Sequence, residues 1–286
     1  MESKLLLIQV ISPLHAGTGQ GVGVIDLPIA REKATGIPFL PGSTLKGVFR
    51  DACNDEALRT RVFGPDTNNA DLHAGAVTFT DARLLLLPVR SLKGVFAWVT
   101  SPLLLRRLKR DAQDATPLSF DIPTPAGENT CCVSEPSELT MNVDNAQKVI
   151  LEDLSLNPDF TQTVDVSAWA GWLGQKLFPG DDAAQDDLKS RLCIVSDDTL
   201  AFLLETATEI NARIAIDDDK KTVKKGQLWY EEALPTETVL VSLVVAATVR
   251  SNPKEVFVEV EAISAKTLQF GGKATVGRGL CKATLV

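Results

Sequence analysis

A long segment rich in glycine and proline near the N-terminus limits what this 286-residue chain can fold into. Residues 12–41 contain five of the chain's 19 glycines and four of its 15 prolines. Proline breaks helix interiors and glycine weakens helices and strands alike, so no regular element can run through this segment. A loop of this length in a compact domain is usually functional, and we expect functional residues in it and beside it.

Helix and strand patterns are mixed along the rest of the chain. The apolar run 5–11 predicts a first buried β-strand, and further strand patterns cover residues 76–87, 94–100, 211–216, 222–232, 239–249 and 281–286. One helix is predicted after Pro41-Gly42-Ser43, a turn and N-cap, and others over 102–112, 165–178 and 183–192. Residues 253–268 fit a helix or a strand, and 116–136 predict an irregular segment.

The charge of the chain is acidic but unevenly distributed. A net charge of −8 and a pI of about 4.9 argue against a basic coat over the whole surface, which a nucleic-acid binder would use to neutralise phosphates. However, residues 82–110 carry seven basic side chains and residues 265–286 carry four, and neither segment contains an acid. Together they predict one basic face on an otherwise acidic body.

No membrane segment or cysteine motif is evident. The longest apolar stretch, 239–249, is too short to span a bilayer, and the N-terminus lacks the features of a signal peptide, so we expect a cytoplasmic protein without membrane contact. The five cysteines form no C-x-x-C pair and the chain has only two histidines, which disfavours a zinc site or a redox motif. His73 has no supporting pattern and is read as a surface or core residue.

The glycine clusters do not match the common nucleotide-binding motifs. The loop from Gly17 to Gly23 follows a strand, but it lacks the third glycine and the helix of a dinucleotide site. Gly272 and Gly277 have P-loop spacing, yet Arg278-Gly279 replaces the required Lys-Ser/Thr. These glycines instead predict a backbone that passes close to a ligand, such as a phosphate chain held by N–H groups.

Asp26 is the main chemical candidate in the first loop. It is a lone carboxylate among glycines, with His15, Lys46 and Arg50 nearby in sequence. Such a carboxylate can bind Mg²⁺ while substrate phosphates complete the coordination shell, although a turn carboxylate is the simpler alternative. His15 fits a structural or a functional role equally well. Lys46 and Arg50 are four residues apart, so they share one exposed helix face.

Two parts of the chain carry a distinctive motif. The first comprises His15-Ala-Gly-Thr-Gly-Gln-Gly, Asp26-Leu-Pro-Ile-Ala-Arg31, Thr35-Gly-Ile-Pro, Pro41-Gly-Ser-Thr-Leu-Lys-Gly47 and Arg50. The second is the glycine loop Gly271-Gly272-Lys-Ala-Thr-Val-Gly277-Arg-Gly279. Together they resemble the RAMP superfamily of CRISPR effector proteins, and their spacing is most similar to the backbone subunit of type III-B (Cmr) complexes. A weaker match is Leu228-Trp-Tyr-Glu-Glu-Ala-Leu-Pro235.

This resemblance implies an α+β fold, with a modified ferredoxin-like (RRM-type) palm and inserted finger and thumb elements. It implies a single RAMP domain over 1–286, with a core at 1–100 and 205–286 and insertions at roughly 12–41 and 110–200. It also implies copies stacked head to tail along a CRISPR RNA, other type III-B subunits as partners, and endoribonuclease cutting of the paired target RNA that depends on a divalent metal ion (Mg or Mn).

The resemblance also implies roles for particular residues. Asp26 resembles the catalytic, metal-binding aspartate, and His15 with Glu232 or Glu231 resembles the residues that assist it. RNA-backbone binding is expected from two groups, which are Ser43, Lys46 and Arg50 in the helix, and Gly271, Gly272, Lys273 and Arg278 in the glycine loop.

Three alternatives remain open. The first is a RAMP scaffold that binds guide RNA without cutting, and the second is the related type III-A backbone subunit. The third, from another class, is a small-molecule nucleotide enzyme, which the failed glycine motifs disfavour. The low aromatic content, 6 %, favours binding along a sugar–phosphate track over base stacking.

Overall fold

The computed structural model describes residues 1–19, 21, 23–65, 74–217, 219–248 and 251–286. His73 lies outside the described residues. The helices are α1 (Gly42–Ala52), α2 (Glu56–Phe63), α3 (Pro102–Asp111), α4 (Thr163–Leu177), α5 (Asp182–Arg191), α6 (Asp197–Thr206) and α7 (Pro253–Ser264). The strands are β1 (Glu2–Val10), β2 (Phe39–Leu40), β3 (Val77–Phe79), β4 (Ala82–Arg90), β5 (Phe96–Thr100), β6 (Thr130–Val133), β7 (Thr140–Val143), β8 (Ala146–Leu151), β9 (Leu154–Asp159), β10 (Leu192–Val195), β11 (Glu209–Ile216), β12 (Val223–Ala233), β13 (Val239–Ala246), β14 (Leu268–Gln269) and β15 (Leu280–Leu285).

Within the described residues, thirteen strands form one curled, mixed sheet. Its main path runs β14-β15-β1-β13-β4-β5-β10-β6-β9-β8-β7, with β2 beside β4 and β3 beside β13. The pairing is antiparallel except at β5–β10 and β6–β9. Strands β11 and β12 form a separate hairpin. The fold is therefore α+β, as the sequence and its resemblance predict.

The first strand shows why its sequence is an unbroken apolar run. It lies between β13 and β15, and Leu5 to Ile8 are fully buried. Leu6 and Ile8 join one hydrophobic cluster, while Leu5 and Leu7 join another on the opposite face of the sheet. A strand covered on both faces cannot alternate apolar and polar residues, so continuous hydrophobicity is the pattern that such a strand requires.

Helix α1 begins with a different cap from the predicted one. Ser43 is exposed and its side chain caps nothing, whereas the Asp81 carboxylate accepts a hydrogen bond of 2.8 Å from the Gly42 N–H. Asp81 sits at a break between β3 and β4, so the single strand predicted over 76–87 is wrong at this point. The break places a carboxylate at the positive end of the helix dipole.

Most arginines of the segment 82–110 are paired with acids. Arg83 and Arg110 both contact Asp111, Arg106 contacts Asp197, and Arg107 contacts Glu32. The expectation that this segment forms part of a free basic face is therefore wrong at four of its seven cations. Acidic residues that are distant in sequence fold back onto it, which a count along the chain cannot detect.

Several elements have no predicted counterpart. The sequence patterns give no sign of helices α2 and α6. Residues 110–200, the larger of the two expected insertions, contain the five strands β6 to β10 that continue the main sheet. The ambiguous segment 253–268 resolves into helix α7 followed by β14, because Val256, Val260 and Ile263 are buried at helical spacing. The division into core and insertions stays a prediction.

Candidate active site and RNA interface

Three segments that are far apart in sequence meet beside the first loop. Leu14 exchanges two backbone hydrogen bonds of 2.9 Å with Leu234, just after β12. The Gly272 N–H donates to the His15 carbonyl at 2.9 Å, and the Leu27 N–H donates to the Tyr230 carbonyl at 3.1 Å. These contacts attach the loop to β12 on one side and to the glycine loop on the other.

His15 is buried and its ring orientation is fixed. Its Nδ1 lies 2.7 Å from the Glu232 carbonyl oxygen. A carbonyl oxygen can only accept, so Nδ1 carries the proton and the lone pair of the neutral ring is on Nε2. A Cβ atom at Gly17 would lie 2.5 Å from Nε2, which explains why a glycine stands there.

Asp26 is exposed on the loop, and its carboxylate is held in place by β12. Its Oδ2 accepts a hydrogen bond of 2.8 Å from the Tyr230 N–H, and its backbone carbonyl accepts one of 2.8 Å from the Gly21 N–H. Within the described residues Oδ1 has no hydrogen-bond partner. The carboxylate is therefore oriented by the backbone and keeps one oxygen free for a ligand.

Glu231 is buried among cations. Its Oε1 accepts from Lys273 Nζ at 2.8 Å and from Trp229 Nε1 at 2.8 Å, and its Oε2 lies 3.3 Å from Arg213 Nε. Burial by itself raises the pKa of Glu231. The hydrogen bonds from Lys273 and Trp229, together with the nearby positive charges, outweigh burial and hold that pKa at about 2. Glu231 is therefore ionised at neutral pH and cannot serve as a general base of useful strength.

Glu232 points to the opposite face of β12 and is also fully engaged. Its Oε1 accepts from Arg31 at 2.5 Å and from Thr208 at 3.0 Å, and its Oε2 accepts from the Ile29 N–H at 3.1 Å. The resemblance implies that one of these two glutamates, Glu232 or Glu231, assists catalysis. The structure brings both beside the loop, where their contacts suit them to positioning it.

The predicted RNA-binding face of α1 presents cations with few internal contacts. Lys46 is half-buried, its pKa is lowered by burial, and it has no hydrogen-bond partner in the described part of the chain. Arg50 makes one long contact, 3.4 Å, to the Gly64 carbonyl, and Ser43 is exposed. Phe49 on the buried side of α1 packs near Phe270, with ring centroids 6.4 Å apart, so this helix lies beside the glycine loop.

The glycine loop is shaped by close backbone contacts. Gly271 has φ +72°, and a Cβ atom there would lie 2.5 Å from the His15 carbonyl oxygen. The N–H groups of Gly272, Gly277, Arg278 and Gly279 all donate to carbonyl groups within the protein. The expectation of a phosphate held by the N–H groups of this loop is therefore wrong at these four positions, since those donors already have partners.

The two cations of the glycine loop are engaged to different degrees. Lys273 is held by Glu231, whereas Arg278 is 7 % exposed and its Nη1 is 3.8 Å from the nearest carboxylate oxygen, on Glu209. Arg278 Nε and Nη1 have no hydrogen-bond partner among the described residues. Of these two cations, Arg278 is therefore the one that keeps N–H groups for hydrogen bonds to a ligand.

Comparison with known proteins identifies the family of this chain. The sequence profile of the RAMP superfamily matches residues 7–282. The chain belongs to the RAMP superfamily. This RAMP protein is 39 % identical to the CRISPR system Cmr endoribonuclease Cmr4 of Pyrococcus furiosus, over 100 % of this chain and 96 % of that protein. It is 27 % identical to the CRISPR system CMR subunit Cmr4 of Saccharolobus solfataricus, over 97 % and 94 % of the two chains.

Solved structures show the same fold. The crystal structure of oligomeric Cmr4 from Pyrococcus furiosus has a TM-score of 0.74 and 32 % identity, and the match covers 100 % of this RAMP chain and 98 % of that one. A subunit of the type III-B Cmr-beta complex bound to cognate target RNA has a TM-score of 0.75 at 22 % identity, over 100 % and 97 % of the chains. No helix in the described part of this RAMP protein is long and apolar enough to span a membrane.

The hairpin β11–β12 has an exposed apolar face that sequence reasoning missed. Six side chains on the hairpin are 40–55 % exposed, namely Ile210, Ile214, Ile216, Val223, Leu228 and Tyr230. The sequence signal that could have revealed this face is the presence of isoleucine at alternate positions of β11. Because Tyr230 also holds Asp26 through its N–H, this face adjoins the candidate catalytic residue of the RAMP protein.

The carboxylates of the site do not form a cluster. Within the described residues, no group of three or more His, Cys, Asp or Glu side chains could hold a metal ion. Asp26 stands apart, while Glu231 and Glu232 are engaged with cations. A cation at Asp26 would need most of its ligands from water and from substrate phosphates, which is the usual mode of Mg²⁺.

Proposed function

We propose that this chain is the CRISPR RNA-binding backbone subunit of a type III-B effector complex, and that it cleaves target RNA paired with the guide. The observation that carries this proposal is the exposed Asp26 carboxylate, which the Tyr230 N–H orients and which keeps one oxygen without a hydrogen-bond partner among the described residues. The full-length similarity to a protein named Cmr endoribonuclease Cmr4 supports it.

The proposed chemistry uses the nucleophile that RNA carries. The ribose 2′-oxygen attacks the adjacent phosphorus and its proton passes to a water molecule. The bond from phosphorus to the 5′-oxygen breaks, and that oxygen takes a proton from water. The products are a 2′,3′-cyclic phosphate and a 5′-hydroxyl. His15 positions the site by holding the Glu232 carbonyl, and Glu231 and Glu232 hold β12 against its neighbours.

A divalent metal ion, Mg²⁺ or Mn²⁺, is part of the proposal. Asp26 would hold it through its free oxygen, and the other ligands would come from RNA phosphate and water. When bound, such an ion neutralises negative charge on the reacting phosphate. Chelation should stop cutting, and addition of Mg²⁺ or Mn²⁺ should restore it.

RNA binding is proposed along the sugar–phosphate backbone. Lys46 and Arg50 share one face of α1 and make few internal contacts, so they can meet phosphates, while Ser43 precedes them on the same helix. The guide supplies sequence by base pairing, so the protein needs no base-specific contacts. The proposed partners are CRISPR RNA, target RNA, further copies of this chain in a head-to-tail filament and other type III-B subunits. The solved structure of an oligomeric Cmr4 supports assembly of copies.

The test uses Asp26→Asn in the complex assembled with guide RNA. Asparagine keeps the oxygen that accepts from Tyr230, so stability should change by less than about 0.5 kcal/mol. Guide binding and assembly should be unchanged, while target cutting should fall at least about 100-fold. Asp114→Asn, at an exposed aspartate beyond α3, is the matched control and should cut normally.

Two results would overturn the proposal. Cutting by Asp26→Asn at the wild-type rate would remove Asp26 from the chemistry. A wild-type complex that binds guide and target but leaves the target intact would identify a non-cutting scaffold. Identification of the other subunits that co-purify with the chain distinguishes a type III-B complex from a type III-A one.

A further inference from the structure

Two lysines of the acid-free segment 265–286 take no part in the site described above. Of the four cations in that segment, Lys273 is paired with a glutamate and Arg278 is buried. Lys266 and Lys282 are exposed, and neither has an ion pair or a hydrogen bond within the described residues. Both of them line one cavity. The unpaired positive charge of this segment therefore lies at that cavity.

The cavity lies near one edge of the main sheet, where β15 meets the residues that end helices α4 and α7. Its volume is about 420 Å³, which is within the range of about 300–1,000 Å³ typical of small-molecule sites. The end of α4 contributes apolar side chains to its wall, namely Leu177, Phe178 and Pro179. The cavity therefore combines an apolar and aromatic wall with the two unpaired lysines.

The side chains that β15 contributes to the cavity face away from α1. Cys281 and Ala283 of β15 belong to the hydrophobic cluster that also contains the buried side chains of α1. Successive side chains of a strand point to opposite faces of the sheet, so Lys282 and Thr284 lie on the other face. The cavity is therefore separate from the RNA-binding face proposed for α1.

The charges and hydrogen-bond donors of the cavity match a phosphate group. Lys266 and Lys282 supply two positive charges, and the hydroxyls of Thr267 and Thr284 have no partner among the described residues. The one acid that lines the cavity, Asp181, accepts a hydrogen bond of 3.0 Å from a backbone N–H of α5 and caps that helix. A phosphate monoester carries a charge of about −1.5 to −2 at neutral pH and three acceptor oxygens. It can therefore pair with both lysines, whereas a single carboxylate would leave one of them unpaired.

We propose that this cavity binds a nucleoside monophosphate, with the phosphate between Lys266 and Lys282 and the nucleoside against the apolar side chains at the end of α4. Lysine binds phosphate as a point charge, and the flat ring of a base packs well on an aromatic side chain such as Phe178. The inference goes beyond the proposed RNA cutting and does not depend on it, because the cavity shares no residue with the Asp26 loop or with α1.

Isothermal titration calorimetry of the full chain with AMP, adenosine and inorganic phosphate measures this binding. AMP should bind at least about 10-fold more tightly than adenosine, which lacks the phosphate, and more tightly than phosphate alone. Lys266→Ala and Lys282→Ala should each weaken AMP binding about 10-fold, because each removes a charged donor. The control Lys254→Ala, at an exposed lysine of α7 that does not line the cavity, should bind AMP like the wild type.

A second pair of variants tests whether the ligand occupies the cavity itself. Ala265 is exposed and lines the cavity, so Ala265→Trp places a large side chain at the cavity wall without disturbing the core. Ala262→Trp, at an exposed residue of α7 that does not line the cavity, is the matched control. AMP binding should weaken at least about 10-fold in Ala265→Trp and stay at the wild-type value in Ala262→Trp.

The outcomes decide for or against the site. Absence of AMP binding to the wild type overturns it, and so does AMP binding that survives Lys266→Ala combined with Lys282→Ala. Inorganic phosphate that binds as tightly as AMP overturns the nucleoside part of the inference. Loss of assembly with guide RNA in Ala265→Trp also overturns the site, because the cavity would then be a contact between protein chains. Weak AMP binding by the double lysine variant, with assembly unchanged, supports a nucleotide site apart from the RNA face.

Discussion

Replacing Glu231 by glutamine tests whether this residue acts through charge in the folded structure. The substitution keeps the side-chain shape and removes a negative charge that contacts Lys273 and Arg213. The carboxyl pKa is about 2 in the folded protein against an ordinary 4.5. Because the folded value is the lower one, the ionised carboxylate stabilises the fold fully above pH 4.5 and loses that contribution as pH falls toward 2.

The expected size of the effect follows from these two pKa values. Their difference corresponds to about 3 kcal/mol at neutral pH. The partner side chains of Glu231 are 33–39 % exposed, so solvent screening reduces the figure to about 2 kcal/mol. For a chain of this size, that lowers the melting temperature by about 4–8 °C.

Thermal unfolding of the wild type and Glu231→Gln over a range of pH measures the effect. The difference in unfolding free energy should shrink to less than half between neutral pH and about pH 3, because only the wild type loses a charge. Glu261→Gln, at an exposed position of α7, should match the wild type throughout. Equal destabilisation of Glu231→Gln at both pH values would refute the conclusion that Glu231 stabilises the fold through its charge. The absence of any destabilisation at neutral pH would refute it as well. Below its melting temperature, Glu231→Gln should keep the wild-type pH profile of cutting.

Two further substitutions test the glycine loop and the RNA face. Gly271→Ala should lower the free energy of unfolding, measured in urea, by about 2 kcal/mol, because position 271 has a left-handed φ and its Cβ would lie 2.5 Å from the His15 carbonyl oxygen. The control Gly272→Ala should be tolerated, because its Cβ would meet nothing nearer than 3.5 Å, and equal losses of stability in the two variants would contradict this reasoning. Lys46→Ala should weaken the binding of all RNA sequences alike, and it should reduce the slope of log affinity against log salt concentration by about one, whereas the control Lys254→Ala should leave that slope unchanged. An unchanged slope in Lys46→Ala would exclude a contact between Lys46 and an RNA phosphate.

The sequence alone was sufficient to predict those elements whose signal lies within a few neighbouring residues. The apolar run of β1 predicts a strand and the helical spacing of apolar residues in α1 predicts a helix, because burial repeats along the chain with a period set by backbone geometry. The first loop could be located because glycine and proline exclude regular structure within it. Asp26 could be singled out in that loop, and its resemblance to a known motif supplied a chemical role that the spacing by itself left open.

Only the tertiary structure decided which charged side chains are paired within the protein and which remain available to a ligand. Asp81 caps α1 from 39 residues away, and Arg83, Arg107 and Glu231 each meet a partner that no local pattern indicates. The resemblance implies a helper role for Glu232 or Glu231, and the alternation of side chains along β12 directs Glu231 to Lys273 and Glu232 to Arg31. Secondary structure depends on neighbours a few residues apart, whereas the pairing of charges depends on which distant segments the fold brings within a few ångströms.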